Sequence, residues 1–354
     1  QRPKPTTKQE LRTWIEEYCR GEKNHGEPNT WDVTSVTDMS ELFKNMDTFN
    51  APLDQWDTAQ VTTMRDMFEA ARAFNQPLTF DTRKVTNMEA MFADARAFNQ
   101  PLTFNTSQVT TMRWMFNEAY GFNQPLTFDT RKVTVMENMF LNATSFNQPL
   151  AFDTSQVTNM SGMFWNAYTF NQPLTFNTSK VTDMHNMFHA AEAFNQPLAF
   201  DTSQVTNMGY MFNGAYAFNQ PLTSFDTSKV TNMEFMFAYT TAFNQPLSFN
   251  TSKVTNMRGM FLDATAFNQP LTFDTSQVTD MESMFDGATA MTYPRPRVGE
   301  ALNIQLVKMN HIIATGSGGI FVTDDFRKLP KTCLVKPDPD DAEEFISKSH
   351  VELL

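Results

Sequence analysis

His185 and His189 stand four residues apart with Glu192 beyond them, a spacing that lets two imidazoles on one helical face share a zinc ion. Asn186 occupies the place where such a site carries its general-base Glu, and no other His or Cys lies between Trp31 and Ala290. The pair is therefore a weak candidate for a metal, and no metal is assigned to it. A second set of ligand-type residues runs Asp81, Asn105, Asp129, Asp153, Asn177, Asp201, Asp226, Asn250 and Asp274. Oxygens drawn from a single column make a poor calcium cage, and Asn at every third place relieves the repulsion of stacked carboxylates. The run Gly316-Ser317-Gly318-Gly319 lacks a following Lys-Ser/Thr and fits no dinucleotide fingerprint. It reads instead as a hairpin turn between Ile312-Ile313 and Ile320-Phe321-Val322. No nucleophile stands in a pattern with a base. The chain is expected not to be an enzyme and to need no cofactor.

What positions these residues is a repeat. Phe74 to Ala97, FNQPLTFDTRKVTNMEAMFADARA, recurs from Phe98, Phe122, Phe146, Phe170, Phe194 and Phe218 at 24-residue steps, then from Phe243 and Phe267. The steps Phe49 to Phe74 and Phe218 to Phe243 take 25 residues, Ser224 being the visible insertion in the second. A fixed period in this range marks a solenoid, in which each repeat buries its apolar face against its neighbours. Val85, Met88, Met91, Phe92 and Ala95 fall at i, i+3, i+6, i+7 and i+10 and predict a short helix. Thr86 with Glu89 has capping-box spacing, repeated at Thr134 with Glu137, Thr231 with Glu234 and Thr279 with Glu282. Leu78-Thr79-Phe80-Asp81 alternates and predicts a short parallel strand with Leu and Phe inward, Pro77 standing just before it. Asn75 and Gln76 are placed to form side-chain ladders between coils.

The pattern V-T-x-M-x-x-M-F-x-x-A-x-x-F-N-Q-P-L-x-F-D-T-S, with eleven V-T-x-M segments, resembles the BspA-like branch of the leucine-rich repeats, known from mycoplasma and other microbial surface proteins. The resemblance spans Trp31 to about Ala290. The family's tryptophan-aspartate at the strand end stands here only as Trp31-Asp32 and Trp56-Asp57, with Phe in place of Trp later. The resemblance implies a right-handed α/β solenoid of about eleven coils of 24 or 25 residues. Its short parallel strands would lie on one face and its short helices on the other. It also implies adhesion or protein interaction, with no catalytic residues to carry over.

Around the array, residues 1–30 are expected to form an arm and a capping helix. Leu11, Trp14, Ile15 and Tyr18 keep helical spacing, and Thr7 with Glu10 is placed as a capping box. Residues 291–354 lose the period and read as a C-terminal cap with an acidic tail, ending in a helix near 340–354. A net charge of -12 argues against a nucleic-acid partner, whose binding needs clustered cations. Cys19 and Cys333 flank the array and are not expected to pair. No apolar run is long enough to span a membrane. The chain begins at Gln1 rather than Met, compatible with removal of a targeting segment, so either a cell surface or an intracellular assembly is open as compartment.

A solenoid turns repeat position into a surface column, so function belongs where the copies differ. Trp114, Tyr120, Trp165, Tyr168, Tyr210, Tyr216, Phe235 and Tyr239 replace small or polar residues of other copies and form the candidate docking surface. The alternative is that each folds onto its neighbouring coil. The reading that follows is a non-catalytic interaction scaffold, either a microbial surface protein or a subunit bridging parts of a large complex. A second reading is an ice-binding or other surface-recognising protein using the Thr79 column, which Ala151 and Ala199 interrupt.

Overall fold

In V-T-x-M-x-x-M-F stretches such as the one from Val61, alternate amides point towards the next copy rather than along the chain. Met64, Asp66, Phe68 and Ala70 donate to the carbonyls of Asn87, Glu89, Met91 and Ala93 at 2.7–3.0 Å. The amides between them close tight turns, Met67 to Met64, Glu69 to Asp66 and Ala71 to Phe68. The computed structural model describes residues 2–293 and 295–298, with the backbone of 305–307, 311–316 and 319–323. It divides into two compact units, Gln1–Phe200 and Asp201–Leu354.

The helix expected over 85–95 is therefore absent, and a chain of turns takes its place. Two residues of each copy sit in the left-handed region, such as Ala90 at φ 51° and Asp94 at φ 53°, which no α-helix tolerates. Gly162 and Gly259 take the first of these positions without steric cost. The capping boxes are absent with the helices. The Glu89 amide donates to Asn87 Oδ1 at 2.8 Å, while the Thr86 hydroxyl reaches the Thr62 carbonyl at 3.4 Å. Asn232 and Asp280 receive the amides of Glu234 and Glu282 in the same way, and the Thr134 hydroxyl turns to the Thr110 carbonyl. At Asn87, Asn232 and Asp280 the side chain just before Met, not the Thr, caps the turn, whereas Val135 has no acceptor to offer.

Parallel strand pairing is sparser than a four-residue strand. In the first unit, single parallel bridges join Leu102, Leu126, Leu150 and Leu174, and a second series joins Asp38, Thr63, Asn87, Thr111, Val135, Asn159 and Asp183. In the second unit they join Asn207, Asn232, Asn256 and Asp280. Proline before each Leu removes a donor, and side chains supply the bonds instead. The buried Thr82 hydroxyl donates to the Asn105 carbonyl at 2.9 Å. The Asn99 amide and Gln100 Nε2 both donate to Asn75 Oδ1, the expected ladder, although these amides are half-buried.

The inward set Phe74, Leu78, Phe80, Val85, Met88, Met91, Phe92 and Ala95 is buried throughout. Phe92 lies 4.2 Å from Phe98, the first residue of the next copy, and stacks 5.6 and 5.7 Å from Phe68 and Phe116. Burying each such side chain contributes roughly 1.5–3 kcal/mol, which outweighs any exposed ion pair.

At the N-terminus, α1 (Lys8–Cys19) buries Leu11, Trp14 and Ile15, while Tyr18 stays half-exposed and bonds Glu27. Thr7 accepts the Glu10 amide as expected, but the Glu10 carboxylate takes the amide of Thr6 rather than that of Thr7. The Arg12 guanidinium donates to the carbonyls of Glu41, Leu42 and Lys44. In later copies the carbonyls equivalent to Leu42 and Lys44 receive the preceding copy's amides.

The array runs past residue 290. Met291 is buried in a Phe position, the Thr292 amide donates to Asn268 Oδ1, and the Thr275 hydroxyl reaches the Arg297 carbonyl. This half-copy covers only the Leu-Thr-Phe side, so the amides of Met281, Ser283, Phe285 and Gly287 have no acceptor among the described residues. Beyond it, β1 (Gln305–Val307), β2 (His311–Gly316) and β3 (Gly319–Thr323) pair antiparallel in that order. Gly316 faces Gly319, where the sequence places a hairpin turn. The helix expected at 340–354 and Cys333 lie outside the described residues. Among those residues, no helix is long and apolar enough to cross a membrane.

Candidate functional site

His185 and His189 do not converge on a metal. They lie in turns, and the buried Asn186 sits between them. His185 Nε2 is 2.7 Å from Asn186 Nδ2, and His189 Nδ1 is 3.0 Å from Asn186 Oδ1. Asn186 thus stands between the two rings, its Nδ2 towards His185 and its Oδ1 towards His189. Burial, with the charge of His185, lowers His189 to a pKa of about 4. Its ring stacks on Trp165 at 5.0 Å. No three His, Cys, Asp or Glu residues are grouped for a metal among the described residues. The strand-end acids are committed elsewhere. Arg83 and Arg131 bind Asp81 and Asp129 and hold them below the ordinary carboxylate range, and Asp153 is lowered by its bonds from Ser155. The Thr79 hydroxyl is likewise used internally, on the Asp54 carbonyl at 2.8 Å.

The eight aromatic candidates divide into two groups. Tyr168, Tyr216 and Tyr239 are exposed, at 41%, 47% and 42%. The others are half-buried and folded against neighbours, which removes them as free docking side chains. Arg113 lies 4.0 Å over Trp114, Arg96 lies 5.5 Å over Tyr120, and Tyr210 stacks on Phe235 at 5.1 Å. The Phe235 ring covers Gly259, where an added Cβ would stand 2.2 Å from it. Side-chain size in one copy is thus matched by a gap in the next.

One gap stays open. Ala90 and Ala93 form the buried floor of a cavity of about 390 Å³, with Trp114 and Asn117 of the following copy on one side. Lys44, Arg65, Asp66 and Glu69 of the two preceding copies stand on the other, and Glu89 completes it. Lys44 pairs with Glu69 at 2.6 Å, and Arg65 reaches both Asp66 and Glu41. Burial and the charge of Glu69 outweigh those cations and raise Asp66 to a pKa of about 6. Asn117 Oδ1 is buried without a hydrogen-bond partner. Arg113 pairs with Glu137 rather than Glu89. Sequence reasoning did not single out Asp66 or Asn117, and it assigned Glu89 to a capping box. The available signal was the pair of small residues, Ala90 and Ala93, one period before Trp114 and Asn117.

With the copies and their columns in place, comparison with known families is informative. A family model described as "Mycoplasma protein of unknown function, DUF285" matches residues 15–126, 102–198, 174–249 and 226–309. The chain belongs to the DUF285 family. The overlapping matches follow the tandem copies and extend beyond Ala290, as the half-copy does. They support a mycoplasma-type repeat protein of unknown function. No curated protein and no solved structure matches this DUF285 chain.

Proposed function

We propose that the chain is a non-catalytic protein-interaction scaffold, and that within each compact unit its copies stack as a solenoid with chained turns where helices were expected. The V-T-x-M and F-N-Q-P-L signatures support placing it, within the repeat family, near the BspA-like leucine-rich repeats of microbial surface proteins. The observation that carries the reading is the exposure of Tyr168, Tyr216 and Tyr239 in columns where other copies hold small, polar or charged side chains. Large aromatic side chains presented to water are typical anchors of protein interfaces, whereas the inward columns hardly vary. Neither the His pair nor the acid column is arranged for catalysis or metal binding. Cross-linking of the full-length protein in its native cell fraction tests this. The wild type should capture a defined protein partner, and the triple variant Tyr168→Ala, Tyr216→Ala, Tyr239→Ala should lose at least about tenfold of it. Equal capture by the two would refute the assignment of these tyrosines.

A further inference from the structure

Five stretches of the chain read Asn-x-Ser/Thr with x other than Pro, the acceptor pattern for N-linked sugar, beginning at Asn105, Asn142, Asn159, Asn177 and Asn250. The fold separates them into two kinds. We propose that Asn105, Asn177 and Asn250 are glycosylation sites and that Asn142 and Asn159 are not.

At the three sites the Asn is exposed in the strand-end column, and its Oδ1 is held by the Ser two residues on. The amides of Ser107, Ser179 and Ser252 donate to it at 3.1 Å and their hydroxyls at 2.7 Å. The carbonyl half of each side chain thus serves the turn, while its Nδ2 makes no hydrogen bond among the described residues. Aspartate fills the same place in other copies and makes the same turn: Asp153 and Asp226 accept the amides of Ser155 and Ser228 at 2.9 Å. What Asn adds to the column is therefore an exposed NH2 group that the fold does not use. Relief of carboxylate repulsion asks only for a neutral residue and leaves that nitrogen without a role.

The hydroxyl on Oδ1 polarises the carboxamide and makes a proton on Nδ2 easier to lose. In the transfer, Nδ2 attacks the anomeric carbon of a sugar carried on a phosphate or pyrophosphate. The N–C bond forms, the C–O bond breaks with its electron pair on the departing phosphate, and the amide proton passes to a base of the transferase. Within the first unit Asn105 and Asn177 stand three copies apart, roughly 14 Å at the spacing of paired strands, which leaves room between two sugar chains.

The other two lack this geometry. Asn142 is half-buried in a left-handed turn at φ 57°, and its Oδ1 is taken by Asn166 Nδ2 of the next copy at 2.7 Å. Asn159 is half-buried, and its Ser161 is only 7% exposed.

The test uses the full-length protein isolated from its native cells. Its intact mass should exceed that of the bare polypeptide by heterogeneous sugar increments. Release by a peptide N-glycosidase in heavy-oxygen water should leave labelled aspartate at positions 105, 177 and 250 and none at 142 or 159. Expressed in the same cells, Asn105→Asp should fold, because Asp153 and Asp201 already hold that column, and should lose one increment. Ser107→Ala keeps the Asn, removes the hydroxyl and should lose the same increment, whereas Ser107→Thr should retain it. A mass equal to the bare polypeptide, label at 142 or 159 in place of the three, or full occupancy of Asn105 in Ser107→Ala would each overturn the assignment.

Discussion

At the scale of single residues, the array assigns polar side chains to its own turns before any remain for a ligand. Asn186 shows this: as a left-handed residue it shapes the turn, and its amide occupies the space between His185 and His189. The spacing of two histidines was legible in the sequence, but the helical face meant to align them was not there. His189 carries a pH signature. Its folded pKa of about 4 lies below the ordinary histidine value of about 6.5, so the unfolded chain takes up the proton first. Above about pH 6.5 both states are neutral at this residue and it adds no pH dependence. Between about pH 6.5 and 4 it should destabilise the fold progressively. His189→Leu, which places the residue of Leu141 and Leu262 in the same column, should flatten that part of the melting-temperature profile. Identical pH profiles for the two proteins would show that His189 titrates normally.

At the scale of elements, the inward positions could be read from the sequence while their backbone could not. Val85, Met88, Met91, Phe92 and Ala95 are buried whether they lie on a helix or on a polygon of turns, because both bring every third or fourth residue to one side. The discriminating signal is the composition of the left-handed columns across copies, Asn138, Gly162, Asn186 and Gly259 in one of them. The Ala90 and Asp94 of a single copy do not disclose it. The candidate site suffered the same way, since Asp66 and Trp114 meet across a cavity only when turns, not helices, set their directions. The capping element is testable through Arg12. Arg12→Met keeps an apolar stem but removes the donors to Leu42 and Lys44. Hydrogen exchange should then speed up first in the copy from Val36 to Met46, and stability should fall by about 1–3 kcal/mol in urea denaturation. Uniform exchange across the first unit would indicate that Arg12 is not the edge cap.

At the scale of the whole molecule, most of the binding between copies is independent of which surface residues a copy carries. The four amides donated forward, the Asn ladder and the Phe stacks recur at the same positions, so a copy is an exchangeable unit. Inserting a duplicate of Phe122 to Ser145 after Ser145 should give a folded protein whose urea midpoint is equal to or above the parent's. Inserting only Phe122 to Val133 should lower it, because half a period sets inward residues against outward ones. If the two insertions behaved alike, the copies would not be interchangeable. The same regularity carries a hazard that the first element answers. The opening copy of the first unit has no preceding copy to donate to its carbonyls, and an uncovered strand-like rim is a template for pairing with another chain. By setting a guanidinium on the carbonyls of Leu42 and Lys44, Arg12 gives that rim donors from within the chain, as a stopper closes an open end.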